Sequence, residues 1–198
     1  PAITAARDTG RVTRVPYDPM MPVHTAWDLG VGDATAIWFC QTVPGSGEVR
    51  LIDYYEASGE GLPHYAAVLA QRGYVYGRHW APHDIQVREF SSGRSRLETA
   101  ASLGIQFQIV PNVPVEDGIH AVRMLLPRCY FDAGRTQAGL ETLQHYRRDY
   151  NQRLNEFKAT PVHDWASHGA DAFRYLAVAL QPVKEKSTEK NPVTGRYV

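Results

Sequence analysis

Between residues 23 and 57 apolar and polar positions run in three stretches divided by turn signals. His24–Leu29 leads through Gly30-Val31-Gly32-Asp33 into Thr35–Val43, Pro44-Gly45-Ser46-Gly47 interrupts, and Glu48–Glu56 follows. This punctuation predicts a three-strand meander. Strict alternation in the third strand puts Val49, Leu51, Asp53 and Tyr55 on one face and Arg50, Ile52, Tyr54 and Glu56 on the other.

The period then changes. Tyr65, Ala66, Leu69 and Ala70 fall on one side of a helix over Leu62–Arg72, closed by Gly73. A strand is predicted at Tyr76–Trp80, a helix at Ser95–Leu103 ending at Gly104, and a strand at Ile105–Val110. Glu116–Leu126 reads as a helix with two acids in its first turn, where the helix dipole favours them. Leu140–Tyr150 reads as helix, and a final helix capped by Asp164 or Ser167 runs to near Pro182. Residues 1–20 lack periodicity and read as an extended lead-in, residues 21–183 as the domain, and the polar residues 184–198 as a flexible tail. Three consecutive strands followed by alternating strands and helices predict an α/β fold: a mixed central sheet, part antiparallel meander and part parallel, flanked by helices.

Composition narrows the function only a little. The 198 residues suffice for one well-buried domain, and the formal net charge is zero, so the chain lacks an overall basic signature for nucleic acid. Arginine supplies most of the positive charge, and its planar fork suits phosphate oxygens. Cys40 and Cys129 are the only cysteines; Cys40 lies in an apolar run and reads as a buried, reduced thiol. No signal peptide is recognisable, no apolar stretch is long enough to span a bilayer, and no Gly-x-x-x-x-Gly-Lys-Ser/Thr phosphate loop is present.

The chemistry concentrates in three aspartates at the edges of predicted elements. Asp28 ends the first strand of the meander, Asp84 follows the Tyr76–Trp80 strand, and Asp171 sits in the first turns of the last helix. An isolated aspartate is ordinarily a turn former, a cap or a solvated charge. Three of them, converging from strand ends and one helix face, are hard oxygen donors suited to two Mg²⁺ or Mn²⁺ ions and to phosphodiester hydrolysis.

The blocks HTAWDLGVGDATAIWF, HWAPHDIQVREFSSGRSRLETAASLGI and VHDWASHGADAFRYLA resemble the C-terminal nuclease domain of the large terminase subunit of tailed bacteriophages, over roughly residues 20–181. The resemblance implies an RNase H-like fold and a two-metal endonuclease that cuts concatemeric double-stranded DNA with little sequence preference. It carries the family's three metal-binding acids onto Asp28, Asp84 and Asp171. It further implies an N-terminal ATPase domain in the full-length protein, with the motor half missing from this excised piece. A portal and a small terminase subunit are the implied partners, and the implied location is the host cytoplasm and, transiently, the procapsid.

Around that core the remaining residues divide into candidates and bystanders. Arg88, Arg94 and Arg96, flanking Ser91-Ser92-Gly93 after Asp84, are the candidate DNA contacts. Arg147, Arg148 and Arg153 form a weaker basic patch. His168 shares a helix face with Asp171 and is a possible accessory residue, as is Asp53, a mid-strand acid that otherwise reads as an arginine partner. Glu56 and Glu60 are outer candidates. His163 and Asp164 are expected to fix the loop entering the last helix, and Pro82 argues against a metal pair at His79 and His83. Trp27, Trp38 and Trp165 are expected in the core, with no stacking role. Other RNase H-like enzymes of resolvase or transposase type, and a non-catalytic docking module, are the competing readings.

Overall fold

The computed structural model describes residues 2–30, 33–90, 92–146 and 164–182, and the backbone of residues 148–151 and 156–161. The predicted tail, His163, and the Val31-Gly32 part of the first turn lie outside the described residues, as do the side chains of Arg147, Arg148 and Arg153.

The meander forms as the punctuation predicts. β2 (Val23–Leu29) and β4 (Val49–Ser58) both pair antiparallel with β3 (Ala34–Thr42). β5 (Tyr76–Ala81) then adds parallel to β2, and β6 (Phe107–Ile109) parallel to β5. On the far side β7 (Cys129–Asp132) runs parallel to β4, and β1 (Val12–Thr13) completes the sheet beside β7. The seven-stranded order is β1-β7-β4-β3-β2-β5-β6.

Two helical layers cover it. α2 (Leu62–Arg72) and α3 (Arg96–Ser102) shield the face carrying Trp27, Ile37, Phe39 and Ile52. α4 (Val115–Leu125), α5 (Gln137–His145) and α6 (Ser167–Ala179) shield the face carrying Ala26, Trp38, Leu51 and Phe131. Each large side chain withdrawn fully from water contributes about 1.5–3 kcal/mol, so buried Trp27, Trp38, Phe39 and Phe173 anchor both layers. α3 starts at a reciprocal cap: Ser95 Oγ accepts from Glu98 N at 3.1 Å while Glu98 accepts from Ser95 N at 2.8 Å. No described helix is long and apolar enough to cross a membrane.

Four expectations need correction. The segment 1–20 is not merely an extended lead-in. α1 (Ala2–Asp8) buries Ile3 and Ala6, and Phe131 N and Ala133 N donate to the carbonyls of Arg11 and Thr13. An apolar stripe of two residues is too short to register as periodicity, and only the β7 edge makes β1 a strand. β7 is absent from the predicted elements because Cys-Tyr-Phe-Asp behind a proline is too short to show a period in residue type, although burial does alternate, with Cys129 and Phe131 inside. α5 ends at His145 rather than Tyr150: Tyr146 turns extended, and β8 (Arg148–Asn151) pairs with β9 (Glu156–Pro161).

The fourth correction concerns β4. Phe39 pairs with Asp53 but Cys40 with Leu51, leaving Ile52 as an extra residue, a β-bulge. The bulge shifts the alternation, so Leu51 and Tyr54 share one face while Ile52 joins the opposite core. Asp53 goes with Ile52, and Glu56 goes with Tyr54.

Candidate active site

The register across the meander sets the site. Asp28 in β2 lies opposite Ala36 in β3, and Ala36 lies opposite Glu56 in β4. Directly opposed residues project from the same face, so both carboxylates rise on the α6 side with only a methyl group between them. Two strand spacings separate their Cα atoms by about 10 Å.

α6 comes down onto this row because its first turn is small. The Trp38 indole donates to Gly169 O at 2.8 Å, and a Cβ at Gly169 would stand 2.3 Å from Thr142 Oγ1 and 2.5 Å from the Tyr54 hydroxyl. This close approach lays His168 against the sheet, with Nδ1 at 2.9 Å from Asp28 Oδ2 and Nε2 at 3.1 Å from Asp33 Oδ2. Held between two carboxylates, His168 is pushed up to about 9, chiefly by its hydrogen bond to Asp28, and is an imidazolium at neutral pH. Asp164 Oδ1 accepts from Ala166 N at 3.0 Å, and Asp164 O accepts from Ser167 N at 2.9 Å, so Asp164 fixes the turn into α6 as expected.

Asp28 is 18% exposed on its side chain. Burial raises its pKa, the His168 hydrogen bond opposes that, and the negative charges of Asp171 and then Asp84 raise it further. The three acids from three separate segments therefore share one electrostatic neighbourhood. Asp84 sits in the short 3₁₀ turn His83–Gln86 directly after β5, the parallel neighbour of β2. Asp171 accepts from Arg174 Nε and from the Tyr146 hydroxyl, both at 3.2 Å.

Among the described residues no three His, Cys, Asp or Glu side chains close around a point as a metal cage. Each predicted acid is held by its own partner: Asp28 by His168, Asp171 by Arg174, and Asp84 by Arg96 at 3.5 Å. The donor set fits a hard divalent cation in chemistry, being all carboxylate oxygen, and its mutual repulsion is of the kind such a cation relieves.

Other candidates sort clearly. Asp53 is buried on the opposite face of the sheet, where Arg72 Nε lies at 2.7 Å, the Tyr74 hydroxyl at 3.2 Å and Arg135 at 3.8 Å. It is an arginine partner, not an accessory to Asp28, and the bulge put it there. Arg88 and Arg94 are exposed in the loop after Asp84. Arg96, at 16% exposure, instead donates to Leu29 O at 2.6 Å and braces the Asp84 turn against the end of β2. His79 is buried in β5, with Nδ1 2.6 Å from the Thr25 hydroxyl, and does not pair with exposed His83. Trp165 is not a core residue; it is 57% exposed.

Asp33, Arg174 and Tyr146 also touch the site and are not among the residues singled out from the sequence. Asp33 lies in a predicted turn, although its spacing after Asp28 returns it to the same edge. Arg174 follows Asp171 by three and so shares its helix face, a legible signal. Tyr146 carried none, since its position depends on α5 ending one residue earlier.

No family model matches this sequence, and no curated protein is similar to it. Solved structures are. The nuclease domain of the P22 large terminase superposes with a TM-score of 0.65 at 17% identity, covering 84% of this chain and 85% of that one. The large terminase of a thermophilic bacteriophage, in complex with ADP, gives 0.64 at 16% identity, covering 89% of this chain and 44% of that one. The large terminase nuclease domain of bacteriophage SPP1 with bound Mn gives 0.58 at 17% identity, covering 78% and 84%. The chain thus spans under half the length of the ADP-bound terminase. Likeness at this identity speaks to architecture, and the chain has the RNase H-like fold of large terminase nuclease domains.

Proposed function

We propose that this chain is the nuclease domain of a tailed-phage large terminase, a divalent-metal-dependent endonuclease acting on double-stranded DNA with little sequence preference. The observation that carries the reading is geometric: β2 and its parallel neighbour β5 bring Asp28 and the Asp84 turn to one edge, Arg96 bridges the two, and α6, which carries Asp171, lays His168 on Asp28. The bound Mn of the SPP1 domain supports a divalent cation here too. In the full-length protein the partners are an ATPase domain, a portal and a small subunit, and the setting is the host cytoplasm during procapsid filling.

Asp28, Asp84 and Asp171 would hold two Mg²⁺ or Mn²⁺ ions. Bound there, the ions would supply Lewis-acid chemistry for phosphodiester hydrolysis. The protein's own side chains hold the acids in place. His168 fixes the Asp28 carboxylate and offsets its charge before a cation arrives. Arg174 and Tyr146 orient Asp171, and Arg96 ties the Asp84 turn to β2. Exposed Arg88 and Arg94 meet backbone phosphates, which fix position and carry no sequence information.

The test is cleavage of supercoiled plasmid by the isolated chain in Mn²⁺, in Mg²⁺ and in EDTA. Nicked and linear product in either metal and none in EDTA is expected. Cleavage that persists in EDTA contradicts the reading.

A further inference from the structure

Trp27, Trp38 and Trp80 are buried, whereas Trp165 stands exposed in the turn that leads into α6. Withdrawing so large a side chain from water would stabilise the fold, so its outward position asks for another explanation. The turn is not loose there, because the backbone on either side is held by Asp164 through Ala166 N and Ser167 N. The His145 ring lies 5.3 Å from the indole, tilted by 52°, and backs one side of it.

Trp165 also lines a cavity of about 340 Å³ whose other walls include Asp33, Glu56, Asp164 and His168. That size is at the lower end of the roughly 300–1,000 Å³ common for small-molecule sites. The cavity leads from the indole to the imidazole that touches Asp28. Its acid walls repel phosphate, so the part of a nucleotide that enters is the uncharged base. The same carboxylates accept hydrogen bonds from exocyclic amino groups.

Building on the nuclease reading, we propose that Trp165, backed by His145, is a nucleobase-stacking subsite at the rim of the acidic site. An aromatic face stacks only on a base that has left the helix. The subsite therefore favours single-stranded, frayed or nicked DNA over intact duplex, and it holds the strand next to Asp28.

The experiment is a titration in EDTA, where no cleavage intervenes. A short end-labelled single strand and the same sequence as a duplex closed by hairpins are each followed by label anisotropy and by tryptophan emission. Saturation with the single strand is expected to quench the emission of the native chain but not that of Trp165→Phe, whose remaining tryptophans are buried. Trp165→Ala is expected to weaken single-strand binding by roughly 5- to 150-fold, and Trp165→Phe to restore most of it. Single-strand binding without quenching, or equal binding by Trp165→Ala, overturns the subsite while leaving the nuclease reading standing. Binding of neither DNA by the native chain also overturns the subsite, whereas the nuclease reading falls only if plasmid is not cut in Mn²⁺ or Mg²⁺ or is cut in EDTA.

Discussion

His168 and Asp28, 140 residues apart in sequence, meet at 2.9 Å, and the far side of the same imidazole reaches Asp33 at 3.1 Å. One imidazolium thus stands between two carboxylates at the edge where Asp84 and Asp171 add their charge. It occupies a position of positive charge that a divalent cation would reinforce or contest.

Replacing His168 with Asn should expose that balance. Breaking a buried ion pair by removing one partner typically costs about 3–5 kcal/mol, and partial exposure of Asp33 places this one at or below the low end. The melting temperature in EDTA should fall. Added Ca²⁺ should then raise it by more in the variant than in the native chain, because more uncompensated charge awaits a cation. Thermal denaturation with and without Ca²⁺ decides, and an equal or smaller Ca²⁺ gain in the variant would argue against the acids sharing a cation site.

Gly169 tests how closely α6 must approach the sheet. An alanine Cβ would lie 2.3 Å from Thr142 Oγ1 and 2.5 Å from the Tyr54 hydroxyl. Overpacking of this kind costs about 1–3 kcal/mol. Gly169→Ala should lower stability and, by lifting His168 and Asp171 away from Asp28, weaken Mn²⁺ binding as well. Calorimetric binding unchanged from the native chain would show that the acids do not depend on this contact.

Acid should destabilise the protein through His79. Burial, helped by the nearby charge of His24, lowers the His79 pKa to about 4 from the ordinary 6.5. The unfolded chain binds the extra proton first, so stability is full above about pH 6.5 and falls as the pH drops toward 4, by on the order of 3 kcal/mol. Urea unfolding across that range should show the slope, and His79→Asn should flatten it. His24, also lowered by burial, leaves a residual slope.

The three arginines after Asp84 should separate by role. Replacing Arg88 or Arg94 with Gln should reduce the slope of log K against log salt by about 0.9 each on duplex DNA. Arg96→Gln should leave that slope largely intact and instead loosen the Asp84 turn, lowering Mn²⁺ affinity. Salt-dependent anisotropy and calorimetry distinguish the two effects; a full salt-slope loss from Arg96→Gln would return it to the DNA contacts.

The meander, α2 and the strand that leads to Asp84 were legible because each is bounded by Gly or Pro and shows a clean period of two or about 3.6. β7 and β1 were not, since each exists only by pairing with a distant segment, and β8, which pairs with nearby β9, falls where the pattern predicted the end of a helix. The bulge at Ile52 had no local signature, and it alone reversed the roles of Asp53 and Glu56. The three acids were picked out by position and resemblance, while Asp33 and Tyr146, which touch the same site through contacts between distant segments, emerged from the fold; Arg174, three residues after Asp171 on one helix, was legible. Trp165 was misplaced because hydrophobicity alone argued for burial.

Mn²⁺ titration calorimetry shows whether Asp28, Asp84 and Asp171 form one divalent-cation site. Two Mn²⁺ ions are expected to bind per native chain, with at least one lost in each of Asp28→Asn, Asp84→Asn and Asp171→Asn. Native-like Mn²⁺ binding in all three variants, or none in the native chain, would contradict it.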